Sequence, residues 1–139
     1  MSLQLDLNTD RELLLAIVTG TLSSFAADWQ VLKQIWDTAL DNHLKRILVD
    51  ALAVQGIAKT IDRYTMGVKL VAYCGEHKWW PMLAFVGEPP VVNGFGALVA
   101  RNRGMDTEVF SNRKDALAWL YAAPSETAAL TSDSARFAA

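Results

Sequence analysis

The sequence holds one cysteine, Cys74, and two histidines in 139 residues. A single thiol excludes an internal disulfide and suits a reducing compartment, so the chain is expected to be cytoplasmic. So few thiols and imidazoles do not make a structural zinc site, and no metal-ligand set is read from the sequence. No apolar run approaches the roughly 20 residues that span a bilayer. The alternating start Met1-Ser2-Leu3-Gln4-Leu5-Asp6-Leu7 lacks a basic leader and a following apolar block, so it does not read as a secretory signal. Strong charge of either sign is also missing. Thirteen basic and 15 acidic residues leave a net charge of −2, which argues against a nucleic-acid partner held by bulk charge. The Gly-rich loop ending in Lys-Ser/Thr that cradles nucleotide phosphates is absent, since Lys59-Thr60 lacks the preceding glycines. No cofactor is expected.

What is present is an ordinary globular composition, with 52% hydrophobic and 20% charged residues, long enough for one domain with its own core. The charge is uneven: −4 over residues 1–44, +3 over 45–121 and −1 over the last 18. A +3 segment is too weakly basic for a phosphate-backbone footprint and reads as solvated helix faces.

Leu3, Leu5 and Leu7 alternate with Gln4 and Asp6, the pattern of a half-buried edge strand. Asn8-Thr9-Asp10 is a turn cluster. The continuous apolar run Leu13 to Val18, closed by Thr19-Gly20, predicts a strand covered on both faces and paired with the first as a hairpin. Ser23 or Ser24 is placed to cap a helix. There Phe25, Trp29, Leu32, Trp36 and Leu40 recur at helical spacing, with Asp28, Gln30, Lys33 and Asp37 largely off the apolar stripe. Ile47-Leu48-Val49-Asp50 follows as a buried strand, which predicts a right-handed parallel crossover. Ile61, Tyr64, Val68 and Val71 predict a second helix over 60–73, stopped by Gly75. Residues 81–86 read as a third inner strand with proline at its first position. Pro90 is placed to start a third helix, which carries Phe95, Leu98, Val99 and Asn102 and ends at Gly104. Thr107, Val109 and Phe110 mark a last strand, and Ser111 is the expected cap of a helix with Ala116, Leu117 and Leu120. Residues 122–139 hold seven alanines, three serines and two threonines, a composition that predicts a mobile tail.

Cys74 and His77 invite a nucleophile–base reading. With no group to orient the histidine, a buried thiol beside a loop histidine is the simpler account. Gly94-Phe95-Gly96-Ala97-Leu98-Val99 starts like a dinucleotide fingerprint, but Val99 stands where the third glycine belongs. Small residues permitting close helix packing explain it more economically. Trp79-Trp80 enters a strand with its side chains on opposite faces, leaving at least one partly exposed. Asp50, Asp62 and Glu88 lie nearest the carboxyl ends of the parallel strands, where open α/β sheets collect ligands. No matched pair for acid–base work stands out, so no catalytic residue is assigned and the chain is not read as an enzyme.

The order of elements, with Ile17-Val18-Thr19-Gly20-Thr21-Leu22, Arg46-Ile47-Leu48-Val49-Asp50, and Val109-Phe110-Ser111-Asn112 followed by Ala116-Leu117-Ala118-Trp119-Leu120, resembles the SpoIIAA-like family of STAS/SEC14-type domains. The likeness covers about residues 3–121 and is carried by structural motifs. It implies a single α/β domain over 1–121, with a mixed, mostly parallel five-stranded sheet and four helices. STAS domains that antagonise anti-sigma factors are phosphorylated in an Asp-Ser-Ser-Gly turn starting the second helix. The corresponding stretch here is Ile57-Ala58-Lys59-Thr60-Ile61-Asp62, in which Thr60 is the only hydroxyl, so that signature is missing. The resemblance implies a non-enzymatic binding or regulatory module with a protein or small-ligand partner. The alternative is a SEC14-like carrier or sensor of a lipid or other apolar molecule. The unpaired edge at Leu3–Leu7, guarded only by Asp6, predicts a homodimer.

A candidate anion site follows from position. The start of the second helix offers unpaired amides and a partial positive charge. Lys59, Thr60 and Ile61 are therefore expected to hold a phosphate or carboxylate, facing a loop with Gly87 and Glu88. Thr60 alternatively serves only as the helix cap.

Overall fold

The computed structural model describes residues 3–10 and 12–122. Two strands, β1 (Leu3–Asp10) and β2 (Leu13–Thr21), lead into helix α1 (Phe25–Asp41). Strand β3 (Arg46–Gln55), helix α2 (Thr60–His77), strand β4 (Met82–Val86), helix α3 (Phe95–Asn102), strand β5 (Asp106–Phe110) and helix α4 (Arg113–Ala122) follow. The five strands form one sheet in the order β1-β2-β3-β4-β5, with β1 antiparallel to β2 and the rest parallel. This is the mixed, mostly parallel α/β sheet that the alternation and helical spacing predicted. The Ala/Ser/Thr-rich segment predicted as a tail lies, from residue 123 onward, outside the described residues.

The hydrophobic pattern explains the layers. Leu3, Leu5 and Leu7 stand opposite Gly20, Val18 and Ala16, so the alternating leucines point to the same side as the inner residues of β2. On that side Leu14, Ala16, Val18, Ile47, Val49 and Leu83 pack under α1, α2 and α3, around fully buried Ile35 and Trp36. The other side is smaller, with Leu13, Leu48, Ala84 and Val86 packing under Ala116 and Leu120 of α4. Burial on two faces is why residues 13–18 are apolar without alternation. Each fully buried Leu or Ile contributes about 1.5–3 kcal/mol.

Element ends depart from expectation where a distant residue intervenes. Ser24 does cap α1, its Oγ accepting from the Ala27 amide at 3.2 Å. Helix α2 runs through Gly75 and stops at Lys78, which takes a left-handed conformation at φ 52°. The stop is set by Trp79, a buried side chain whose Nε1 donates to the Leu44 carbonyl at 3.1 Å. Pro90 does not start α3. The Arg63 guanidinium donates to the carbonyls of Pro90 and Val91, holding that segment outside any helix, and α3 begins after Gly94 at φ 85°. Ser111 is not the cap of α4; the Asn112 side chain accepts from the Asp115 amide at 2.8 Å.

Candidate functional site

A cavity of about 270 Å³ lies between the sheet and the N-terminal ends of α1, α2 and α3, at the carboxyl ends of the parallel strands. Its walls are mainly apolar: Val18 on β2, Leu22 just beyond it, Phe25 on α1, Val54 on β3, Met66 on α2 and Phe85 on β4. Val54 reaches the cavity because β3 carries an irregularity. Its register against β2 shifts between Ile17 and Thr19, so that Ile17 pairs Asp50 while Thr19 pairs Ala53. The Asp50 carboxylate fixes this bend, accepting from the Leu52 amide at 3.0 Å and from Arg113 on α4.

The α3 side of the cavity depends on a close helix contact. An added Cβ on Gly67 of α2 would stand 2.8 Å from the carbonyl oxygen of Gly96 at the start of α3. The Gly94–Gly96 pair therefore serves helix start and helix packing, as the economical reading of that motif had it. Gly94 takes the cap position, and Asn93 Oδ1 accepts from the Phe95 amide at 3.0 Å.

Four charged side chains line the cavity: Asp28, Lys59, Asp62 and Arg63. Arg63 is turned to its own chain. Its Nε donates to the Ala58 carbonyl at 3.3 Å, Nη1 to the Val91 carbonyl at 2.8 Å and Asn93 Oδ1 at 3.3 Å, and Nη2 to the Pro90 carbonyl. It thereby ties the β3–α2 loop to the β4–α3 loop, and its partial burial lowers its proton affinity. Asp28 is pushed up from the ordinary carboxylate value by burial, partly offset by Ser23, whose amide donates to it at 3.3 Å, with Asp62 pushing further.

The structure brings Lys59 to the cavity, while Thr60 and Ile61 are exposed on the first turn of α2. Gly87 and Glu88 line a separate depression with Pro89, Phe110 and Ser111, across the Val92–Gly94 segment that both hollows share. Thr60 does not cap α2: Lys59 occupies the cap position, and no side chain caps that end. The sequence pattern puts Asp28 largely off the apolar stripe of α1, and the structure corrects this. Asp28 follows Phe25 by three and precedes Leu32 by four, a spacing that puts all three on one helix face, and that spacing was the available signal. Arg63 and Asn93 carried no such signal, because their partners lie on another loop.

Elsewhere Cys74 is buried, and burial pushes its thiol up to about 11 against the opposing Trp36 indole. His77 Nδ1 lies 2.9 Å from the Tyr73 carbonyl oxygen. A resting thiol and a backbone-anchored imidazole fit the structural reading of this pair. Trp79 is buried and Trp80 is 49% exposed, both in the connection between α2 and β4 rather than in the strand the sequence suggested. Among the described residues no group of acidic, histidine and cysteine side chains is placed to hold a metal, and no helix is long and apolar enough to cross a membrane.

No protein-family model matches the sequence, and neither does any curated protein. Solved structures do match. One is an uncharacterised DUF3478-family protein with a SpoIIAA-like fold from Shewanella loihica PV-4, with 16% identity and a TM-score of 0.54 over 86% of this chain and 93% of that one. Another is an anti-sigma factor antagonist from Mycobacterium paratuberculosis, also at 16% identity, with a TM-score of 0.59 over 86% of this chain and 94% of that one. At such identities the likeness establishes the fold, which is SpoIIAA-like.

Proposed function

We propose that this chain is a non-enzymatic, cytoplasmic regulatory module that binds a protein partner through the start of α2. The observation that carries the reading is a cluster of exposed apolar side chains there: Ile57 is 75%, Ile61 62% and Tyr64 40% exposed. Ile61 and Tyr64, three apart, share one helix face. Large apolar groups gathered at one surface point to an interaction site, since covering them recovers about 25 cal/mol per Å². Beside them, Lys59 and the amides of a helix end without a side-chain cap suit a carboxylate or phosphate carried by the partner. Thr60 lies within that surface, with Gly87 and Glu88 beyond the Val92–Gly94 segment. The anti-sigma factor antagonist of similar fold supports a partner that is itself a protein. Self-association along the β1 edge belongs to the same proposal, and light scattering at high concentration tests it.

A photo-crosslinking residue placed at Ile61, and in a control at exposed Glu76 on the same helix, tests the contact surface. A discrete adduct from position 61 alone supports the reading, and equal adducts at both positions refute it. A second reading, a carrier or sensor of an apolar small molecule, is favoured by the apolar cavity. Native mass spectrometry of freshly purified protein checks it through a retained ligand mass.

A further inference from the structure

We infer that the cavity takes a small apolar molecule ending in a protonated amine, whose head group is received by the carboxylates of Asp28 and Asp62. The inference rests on the carrier reading and names the ligand class. Size comes first. A cavity of 150 Å³ holds benzene, so 270 Å³ holds a ligand of roughly eleven non-hydrogen atoms. The Val18, Leu22, Val54, Met66 and Phe85 side chains give that body an apolar wall.

The charges decide the head. Among the described residues the four ion pairs are Lys33–Asp37, Arg46–Glu12, Arg101–Glu108 and Arg113–Asp50, so neither Asp28 nor Asp62 is in one. Both carboxylates line the same cavity and repel each other across the gap between α1 and α2. Arg63, the cation expected to balance them, spends its hydrogen bonds on three backbone carbonyls and Asn93. An anionic head would meet two carboxylates and an occupied guanidinium, with Lys59 and the uncapped amides at the start of α2 in its favour. An ammonium, with three donors, satisfies both carboxylates and relieves their repulsion. The polar donors and acceptors therefore select at the mouth, and the apolar walls select along the body.

Isothermal titration of the full chain with decylamine, decanol and decanoate, each below its aggregation concentration, separates the ligand class from the carrier reading. Decylamine should bind one to one and about tenfold tighter than decanol, the scale of a charge-assisted hydrogen bond, with decanoate weakest. Asp28→Asn combined with Asp62→Asn should bring the amine down to the level of the alcohol. Ala51→Phe, which fills the cavity, should abolish binding of all three; if that variant fails to fold, displacement of bound decylamine by decanol gives the same information. Equal affinity for amine and alcohol overturns the head-group assignment and leaves the carrier reading standing. Tightest binding of decanoate overturns the assignment in favour of Lys59. Amine binding that survives cavity filling, or that decanol fails to displace, is surface adsorption and overturns the site. Binding of none of the three overturns the assignment and the carrier reading together.

Discussion

Replacing Gly67 with alanine should destabilise the chain, against what helix propensity alone dictates. Gly67 lies inside α2, where alanine is ordinarily favoured by about 1 kcal/mol. Here an added Cβ would stand 2.8 Å from the Gly96 carbonyl oxygen and 3.0 Å from Val99 Cβ and Cγ1. The oxygen belongs to the backbone at the start of α3 and cannot rotate aside, so the two helices must part. Overpacking of this kind costs about 1–3 kcal/mol, which outweighs the propensity gain and leaves a net loss of about 1 kcal/mol. Gly75 is the control within the same helix: it is exposed, and the nearest atom to its added Cβ is Trp80 Cζ2 at 3.9 Å. Gly75→Ala should therefore stabilise by about 0.5–1 kcal/mol. The contrast between the two variants cancels common errors in propensity. With about 4 °C per kcal/mol for a chain of this size, thermal melts followed by circular dichroism should separate them by several degrees. If Gly67→Ala melts at or above Gly75→Ala, the close approach of α2 to α3 is not the constraint described here.

Arg63→Met should release the segment 89–93 from α2, read as faster amide exchange at Val92 and Asn93 with α1 unchanged; unaltered exchange refutes the clamp. Tyr73 OH donates to Asp37 at 2.5 Å, and although burial pushes Asp37 up, that bond and the one from Lys33 leave it below its ordinary value. A lowered folded pKa gives stability that is present above the unfolded carboxyl value and lost as pH falls through the folded one. Tyr73→Phe should then cost about 1 kcal/mol at pH 7 in urea denaturation, and the gap from wild type should narrow below about pH 4; a gap unchanged at pH 3 refutes the coupling. Cys74, pushed up to about 11 and buried, should label with iodoacetamide at neutral pH only as fast as the chain opens. Labelling at the rate of a free thiol contradicts that.

Periodicity carried most of the fold. The α1 stripe from Phe25 to Leu40, and the unbroken run from Leu13 to Val18, are direct consequences of one-sided and two-sided burial, and both elements stand where those patterns put them. The element ends were less legible because long-range partners set them. Trp79 ends α2 by reaching Leu44, and Arg63 keeps Pro90 out of α3 from 27 positions away. The site was legible in part. Position on a strand–helix loop was enough to bring Lys59 to the cavity. Nothing local placed Gly87 and Glu88 on the far side of Val92–Gly94, since that depends on how the second loop is held.

The rule that places ligands at the carboxyl ends of the strands pointed to the end of the sheet where the cavity lies, but for an incomplete reason. In doubly wound sheets the crevice opens where strand order reverses and helices depart to opposite faces. Here the order runs β1 to β5 without reversal, and α1, α2 and α3 all lie on one face, so that crevice does not arise. The space has to come from the helices themselves. Gly67 and Gly96 bring α2 hard against α3, and the register shift in β3 carries Val54 beneath α2. No comparable contact draws α1 against α2 at their starts, where Asp28 and Asp62 repel. A gap is left between these two helix ends, floored by the sheet and flanked by the loops that Arg63 ties together. Closing it by packing would bring two unpaired carboxylates together away from water, which is costly. A cation received by both carboxylates should therefore draw the ends of α1 and α2 together.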